Sequence, residues 1–189
     1  MLSQSDFTLF LRAWPEKLRP DALAVGEHLS GILKNDRAID EYDHPIFSLD
    51  GEQVHIPARM HCREPDFEAE VPQFTETQLR MYHCTFLRNH DGFVRQRALA
   101  ALDKDLDYWM VPFVLQLLGE YVIEIIQDLD AYITGGNMTT FARFVNENPA
   151  FWRLTEDRID SYWVYYRDRF PDIRQYPARL IANRINAAL

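Results

Sequence analysis

Between Asp21 and Leu33 the apolar residues Ala22, Val25, Leu29, Ile32 and Leu33 recur at intervals of three and four. That spacing stacks them on one face of a helix, which buries the stripe. A shorter helical turn precedes it, carrying Phe7, Phe10, Leu11 and Trp14, with Ser5 as its expected cap and Pro15 limiting its length. Asn35 and Asp36 suit the end of the second helix. From about 40 to 74 the pattern changes, because prolines at 45, 57, 65 and 72 forbid a long helix. Within that segment Ile46-Phe47-Ser48-Leu49 and Gln53-Val54-His55-Ile56 flank Asp50-Gly51. Both turn residues tolerate positive φ, so one small β-hairpin is expected at about 46–56.

From Thr75 onward the helical period returns. Thr75 with Gln78 has the form of a capping box, and Leu79, Tyr82, His83, Phe86 and Leu87 follow as a stripe. Asn89-His90-Asp91-Gly92 closes that helix and opens the next, Phe93 to Leu102, with Val94, Ala98, Leu99 and Leu102 turned inward. Pro112 fits the first turn of an apolar helix within 108–126, which Gly119 kinks or ends before a helix from Tyr121 to Ile133. Gly135-Gly136-Asn137 is a break, after which Thr139 or Thr140 caps Phe141 to Asn146. Thr155 is the expected cap of a helix from Glu156 to Phe170, closed by Pro171. Pro177 opens the last helix, with Leu180, Ile181, Ile185 and Leu189 as core candidates.

The expected fold class is therefore all-α, built from antiparallel helix pairs with one small hairpin. A length of 189 residues fits one domain, 1–189. It would comprise N-terminal helices at 5–35, the proline-rich segment at 40–74 and a helical-pair region at 75–189. A composition 47% hydrophobic and 13% aromatic is enough to build a core, which excludes a disordered chain.

Charge narrows the partners. With 29 acidic against 20 basic side chains, the formal net charge of -9 repels phosphate backbones and anionic lipid. Nucleic acid and membrane are disfavoured, and a basic protein is the partner this charge would steer. The acidic stretch from Glu64 to Glu70 reads as a solvated connection, and is a second candidate contact for such a partner. Pro112, Gln116, Glu120 and Glu124 interrupt the most apolar run, from Tyr108 to Ile126, so it reads as a buried core helix and not a membrane span. The first twenty residues lack the basic start and apolar run of a signal peptide. Together with only two cysteines, read as reduced thiols, this gives a cytoplasmic expectation.

The chain contains no phosphate-cradling glycine loop, no Gly-x-Ser-x-Gly and no His-Glu-x-x-His. His61-Cys62 and His83-Cys84 have the composition of a zinc site, but helix neighbours point about 100° apart and structural sites space their ligands more widely. No metal and no cofactor is expected. Glu120 and Glu124, at i and i+4 on the apolar helix, are the candidate acid/base or metal-binding pair. They more simply form a solvated stripe or pair with Arg95 or Arg97.

The run His90-Asp91-Gly92-Phe93-Val94-Arg95-Gln96-Arg97-Ala98-Leu99-Ala100-Ala101-Leu102 resembles a HEAT-like helical repeat, with Asp at the interhelical turn followed by Val-Arg and then Ala and Leu. Val111 to Leu118 looks like the first helix of a following unit, so the resemblance covers roughly 75–133. It implies a surface for binding macromolecules. Asp91, Arg95 and Arg97 would then be structural, the Asp holding backbone amides and the Arg side chains stacking helix pairs.

The richest aromatic segment is 158–170. Ile159, Tyr162, Trp163, Tyr166 and Phe170 form one helical stripe and are assigned to the core. Tyr165 falls off that stripe, beside Arg158, Ser161 and Arg169. An exposed Tyr between two Arg has the composition of an interface hot spot, so Arg158, Tyr165 and Arg169 are the candidate partner-binding residues. The function expected is non-catalytic protein binding in the bacterial cytoplasm, as an adaptor or a toxin-neutralising (immunity) protein. The alternative is a helical metal-dependent or hydrolytic enzyme centred on Glu120 and Glu124.

Overall fold

The computed structural model describes residues 3–32, 39, 45–62 and 73–189. Among them are nine α-helices and a single two-stranded antiparallel hairpin, an all-α architecture with one small β excursion. They divide into two compact units, Met1–Asp103 and Lys104–Leu189.

The first unit opens with α1 (Gln4–Arg12), and its cap is Ser3, not Ser5. Ser3 Oγ accepts the amide of Asp6 at 3.0 Å while Asp6 Oδ2 accepts the amide of Ser3, a reciprocal capping box that the sequence reading placed two residues late. A short 3-10 turn, Glu16–Leu18, leads into α2 (Arg19–Ile32), where Ala22, Val25 and Leu29 are buried as the periodicity requires. Asn35, Asp36 and the acidic stretch 64–70 lie outside the described residues. Strands β1 (Ile46–Leu49) and β2 (Glu52–His55) pair around Asp50 and Gly51, whose φ values of 56° and 82° are those the tight turn needs.

Helix α3 (Glu76–Phe86) carries the capping box formed by Thr75 and Gln78, and α4 (Gly92–Ala101) packs against it. Its C-terminal end is tied to the segment after the hairpin. The Met60 amide donates to the Arg88 carbonyl at 2.7 Å, the His90 amide donates back to the Met60 carbonyl at 2.9 Å, and Asn89 Nδ2 donates to the Cys62 carbonyl at 3.1 Å. These bonds satisfy main-chain groups that a helix end otherwise leaves open.

The second unit contains α5 (Val111–Leu115), α6 (Ile123–Tyr132), α7 (Met138–Glu147), α8 (Pro149–Trp163) and α9 (Pro177–Asn186). Three sequence expectations are corrected here. The apolar run is not one core helix: α5 tightens into a 3-10 turn, Gln116–Gly119, and the chain then extends at Glu120 with φ of -109° and ψ of 166°. Helix α8 begins six residues before Thr155, because Pro149 supplies a first-turn residue with its φ already fixed. Thr155 is buried inside it and donates its hydroxyl to the Phe151 carbonyl at 3.0 Å. In α9 the buried residues are Ala178, Ile181, Ala182 and Ile185, while Leu180 faces solvent, as does Leu189 beyond the end of the helix.

Around α9 the second unit packs α6, α7 and α8. Polar ties fix the contacts: Trp152 Nε1 donates to Asn186 Oδ1 at 2.8 Å, and Arg179 bridges Glu156 and Asp160 on α8. Helix α8 also lies over the 3-10 turn. A Cβ on Gly119 would sit 3.3 Å from Arg158 Cδ and 3.9 Å from Thr155 Cγ2, so the absent side chain at Gly119 allows that close approach.

Candidate functional site

The end of α8 determines where its aromatic residues go. After Trp163 the helix tightens into a 3-10 turn, Val164–Tyr166, and then leaves the helical path. Trp163 Nε1 donates to the Phe170 carbonyl at 2.8 Å and the Phe170 amide donates to the Tyr166 carbonyl at 2.8 Å, which latches the turn. The stripe assumed to run from Ile159 to Phe170 is therefore interrupted. Ile159 is buried, but Tyr162, Trp163, Tyr166 and Phe170 are only half-buried, which corrects their assignment to the core.

What these rings line instead is a recess of about 400 Å³ walled by Tyr121, Tyr162, Tyr165 and Tyr166. Tyr121 enters from the segment between the 3-10 turn and α6, a position the sequence reading had placed inside a helix. Its carbonyl accepts the Tyr166 hydroxyl at 2.5 Å, and its ring lies 6.0 Å from that of Tyr162 at a tilt of 58°. Behind the recess the Tyr166 ring stacks on Tyr176 at 5.8 Å. Tyr176 is fully buried, and burial pushes its phenol up to about 12, with the Tyr166 phenol adding in the same direction. Tyr165 is the outermost member, 80% exposed.

The hydroxyls of Tyr121, Tyr162 and Tyr165 hydrogen-bond to no described residue. Arg158 and Arg169, which the sequence grouped with Tyr165, flank this segment together with Arg167. Arg158 is one turn before Tyr162 on α8, its stem against Gly119. Arg167 lies over the Trp163 ring at 5.8 Å and Arg169 over the Phe170 ring at 5.3 Å. None of the three forms an ion pair with a described residue. A tyrosine-walled recess of this volume falls in the range of about 300–1,000 Å³ occupied by ligand sites.

The other candidates sit as follows. Asp91 is the N-cap of α4, its Oδ1 accepting the Phe93 amide at 2.8 Å. Arg95 is buried, and its Nη1 donates to the carbonyls of Asn89 at 2.7 Å and His90 at 2.9 Å. Arg97 is exposed. Glu120 and Glu124 do not share a helix: Glu120 is buried on extended backbone and Glu124 is exposed in the first turn of α6. The i, i+4 geometry behind the paired-carboxylate expectation is therefore not formed.

Cys62 and Cys84 are both buried free thiols. Burial raises the Cys62 thiol to about 11, against a lowering hydrogen bond from Asn89. Burial also lowers His83 to about 4, with the charge of Asp103 pulling the other way. His61 stacks on His90 with ring centroids 5.2 Å apart. Among the described residues no group of three or more His, Cys, Asp or Glu side chains is placed to hold a metal ion. No helix of the described residues is long and apolar enough to cross a membrane.

No family model, no curated protein and no solved structure matches this chain.

Proposed function

We propose that the chain is a cytoplasmic protein-binding module, of the adaptor or toxin-neutralising kind, and that it holds its partner at the tyrosine recess of the second unit. The supporting observation is the recess itself, four tyrosines with Tyr165 outermost, on a segment that also carries Arg158, Arg167 and Arg169, none of them ion-paired to a described residue. Tyrosine buries a large amphipathic ring at the cost of only two side-chain torsions, and an unpaired guanidinium offers a two-pronged contact to a carboxylate. Aromatic side chains and arginine are also the types that carry most of the energy at protein interfaces. The HEAT-like character of 90–102 belongs to the same class of role, a helical scaffold that presents a binding surface.

The test is site-specific photocrosslinking in the native host. A crosslinking amino acid in place of Tyr165 should trap one discrete protein, and the same amino acid at Thr139, also exposed in the second unit, should not. The trapped protein, purified, should then bind the wild-type chain and bind Tyr165→Ala more weakly by over about 1 kcal/mol. Equal trapping from both positions, or unchanged affinity in the variant, contradicts the proposal.

A further inference from the structure

Among the described residues four tyrosines line the recess and no charged side chain does, and its walls are almost wholly ring carbon. Charges of both signs stand in the segments that carry these tyrosines, Arg158, Arg167 and Arg169 with Glu124, Asp157 and Asp168, all exposed. The flanks therefore select neither sign, and the walls decide. Two of the walls form a corner and not a slot, because the Tyr121 and Tyr162 rings, 6.0 Å apart, are inclined at 58°. The arrangement is held in place by Tyr166, which is backed by Tyr176 and donates its hydroxyl to the Tyr121 carbonyl.

A planar ring could stack on only one wall of such a corner, whereas a compact, rounded group touches both. The N–H groups of a lysine ammonium or a guanidinium would lose their water in the recess and find almost no acceptor on ring carbon. Aromatic faces carry negative potential and attract a cation within about 6 Å of the ring centroid, so a charged group is held more tightly than a neutral one of the same shape. A compact cation that has no N–H and is sheathed in methyl groups is a quaternary ammonium. The net charge of -9 favours its approach from a distance.

We infer that the tyrosine recess binds the quaternary ammonium of a trimethylated lysine on the partner protein. This rests on reading the recess as a protein contact, which makes the source of the cation a side chain and not a free solute. The long lysine stem carries the charged head past the outermost ring, Tyr165, to the inner walls, and its own methylenes pack on ring carbon.

Fluorescein-labelled Gly-Gly-Lys-Gly-Gly peptides test this by anisotropy with the full chain: one with trimethyllysine, one with unmodified lysine and one with the neutral tert-butyl analogue of trimethyllysine. The inference expects saturable binding of the trimethyllysine peptide, with the other two weaker by about tenfold or more. Tyr165→Ala should weaken it about tenfold, while Tyr165→Phe, which keeps the ring face, should bind as the wild type does. Tyr165 is exposed, and thermal melts of the variants confirm that they fold. Absence of trimethyllysine binding overturns the inference, as does equal or tighter binding of either other peptide, or an equal loss in the two variants. Choline that competes as tightly as the peptide binds overturns the assignment to a protein side chain. If the peptide fails while Tyr165→Ala still weakens the photocrosslinked partner, the partner chemistry is wrong and the contact surface stands. If Tyr165→Ala affects neither, both fall.

Discussion

At the scale of single side chains, the burial of His83 adds an acid-sensitive contribution to the first unit. His83 titrates at about 4 when folded because burial disfavours its charged form, against an ordinary value of 6.5. Above pH 6.5 the imidazole is neutral in both folded and unfolded chains, so its contribution to stability is constant. As pH falls from 6.5 toward 4 the unfolded chain takes up the proton first, and stability declines by up to about 3 kcal/mol. Urea denaturation midpoints across that window should fall in the wild type and fall less in His83→Gln. A parallel decline in both would assign the acid sensitivity to other groups. Asp91 acts on the local backbone instead: it holds the Phe93 amide, and Asp91→Ala should lower stability by about 0.5–2 kcal/mol, read as a shifted denaturation midpoint. The sequence marks this aspartate clearly, because a short acceptor ahead of an apolar period is what a helix start needs. Tyr165 was legible for a comparable reason, lying off the apolar stripe between two arginines. Tyr162 and Tyr166 were not, since their spacing matches a buried face only if the helix continues, and it tightens at Val164.

Elements were most legible where a local residue enforces a backbone state. The hairpin turn is such a case, with Asp50 and Gly51 both at positive φ. A Cβ at Gly51 would meet nothing within 4 Å, so Gly51→Ala tests the backbone alone. It should destabilise the protein by about 1–2 kcal/mol in chemical denaturation, and an unchanged midpoint would show that the turn relaxes without cost. Pro177 opened α9 as expected for the same local reason. Thr155 misled because it resembles a cap in isolation, while the effective start signal was Pro149. The stop at Gly119 was legible from its glycine, but Tyr121 was placed in the following helix, which begins only at Ile123, because no capping side chain marks that start. The stop at Gly119 and Glu120 is what frees Tyr121 to join the recess, which makes a break in one element part of the site.

At the scale of the molecule, length suggested one core, and the described residues form two compact units. The candidate site lies wholly in the second, yet it joins Tyr121 to residues about 45 positions later, a pairing that no local pattern encodes. Composition gave the net charge, and net charge alone pointed to a basic partner. The central claim, that this recess is where a partner is held, is tested most directly by calorimetric titration of the photocrosslinked protein, purified, into wild-type and Tyr165→Ala chains of equal thermal stability. A loss of affinity of about tenfold or more in the variant, with an unchanged melting temperature, is the result predicted. Equal affinity in the two chains would contradict it.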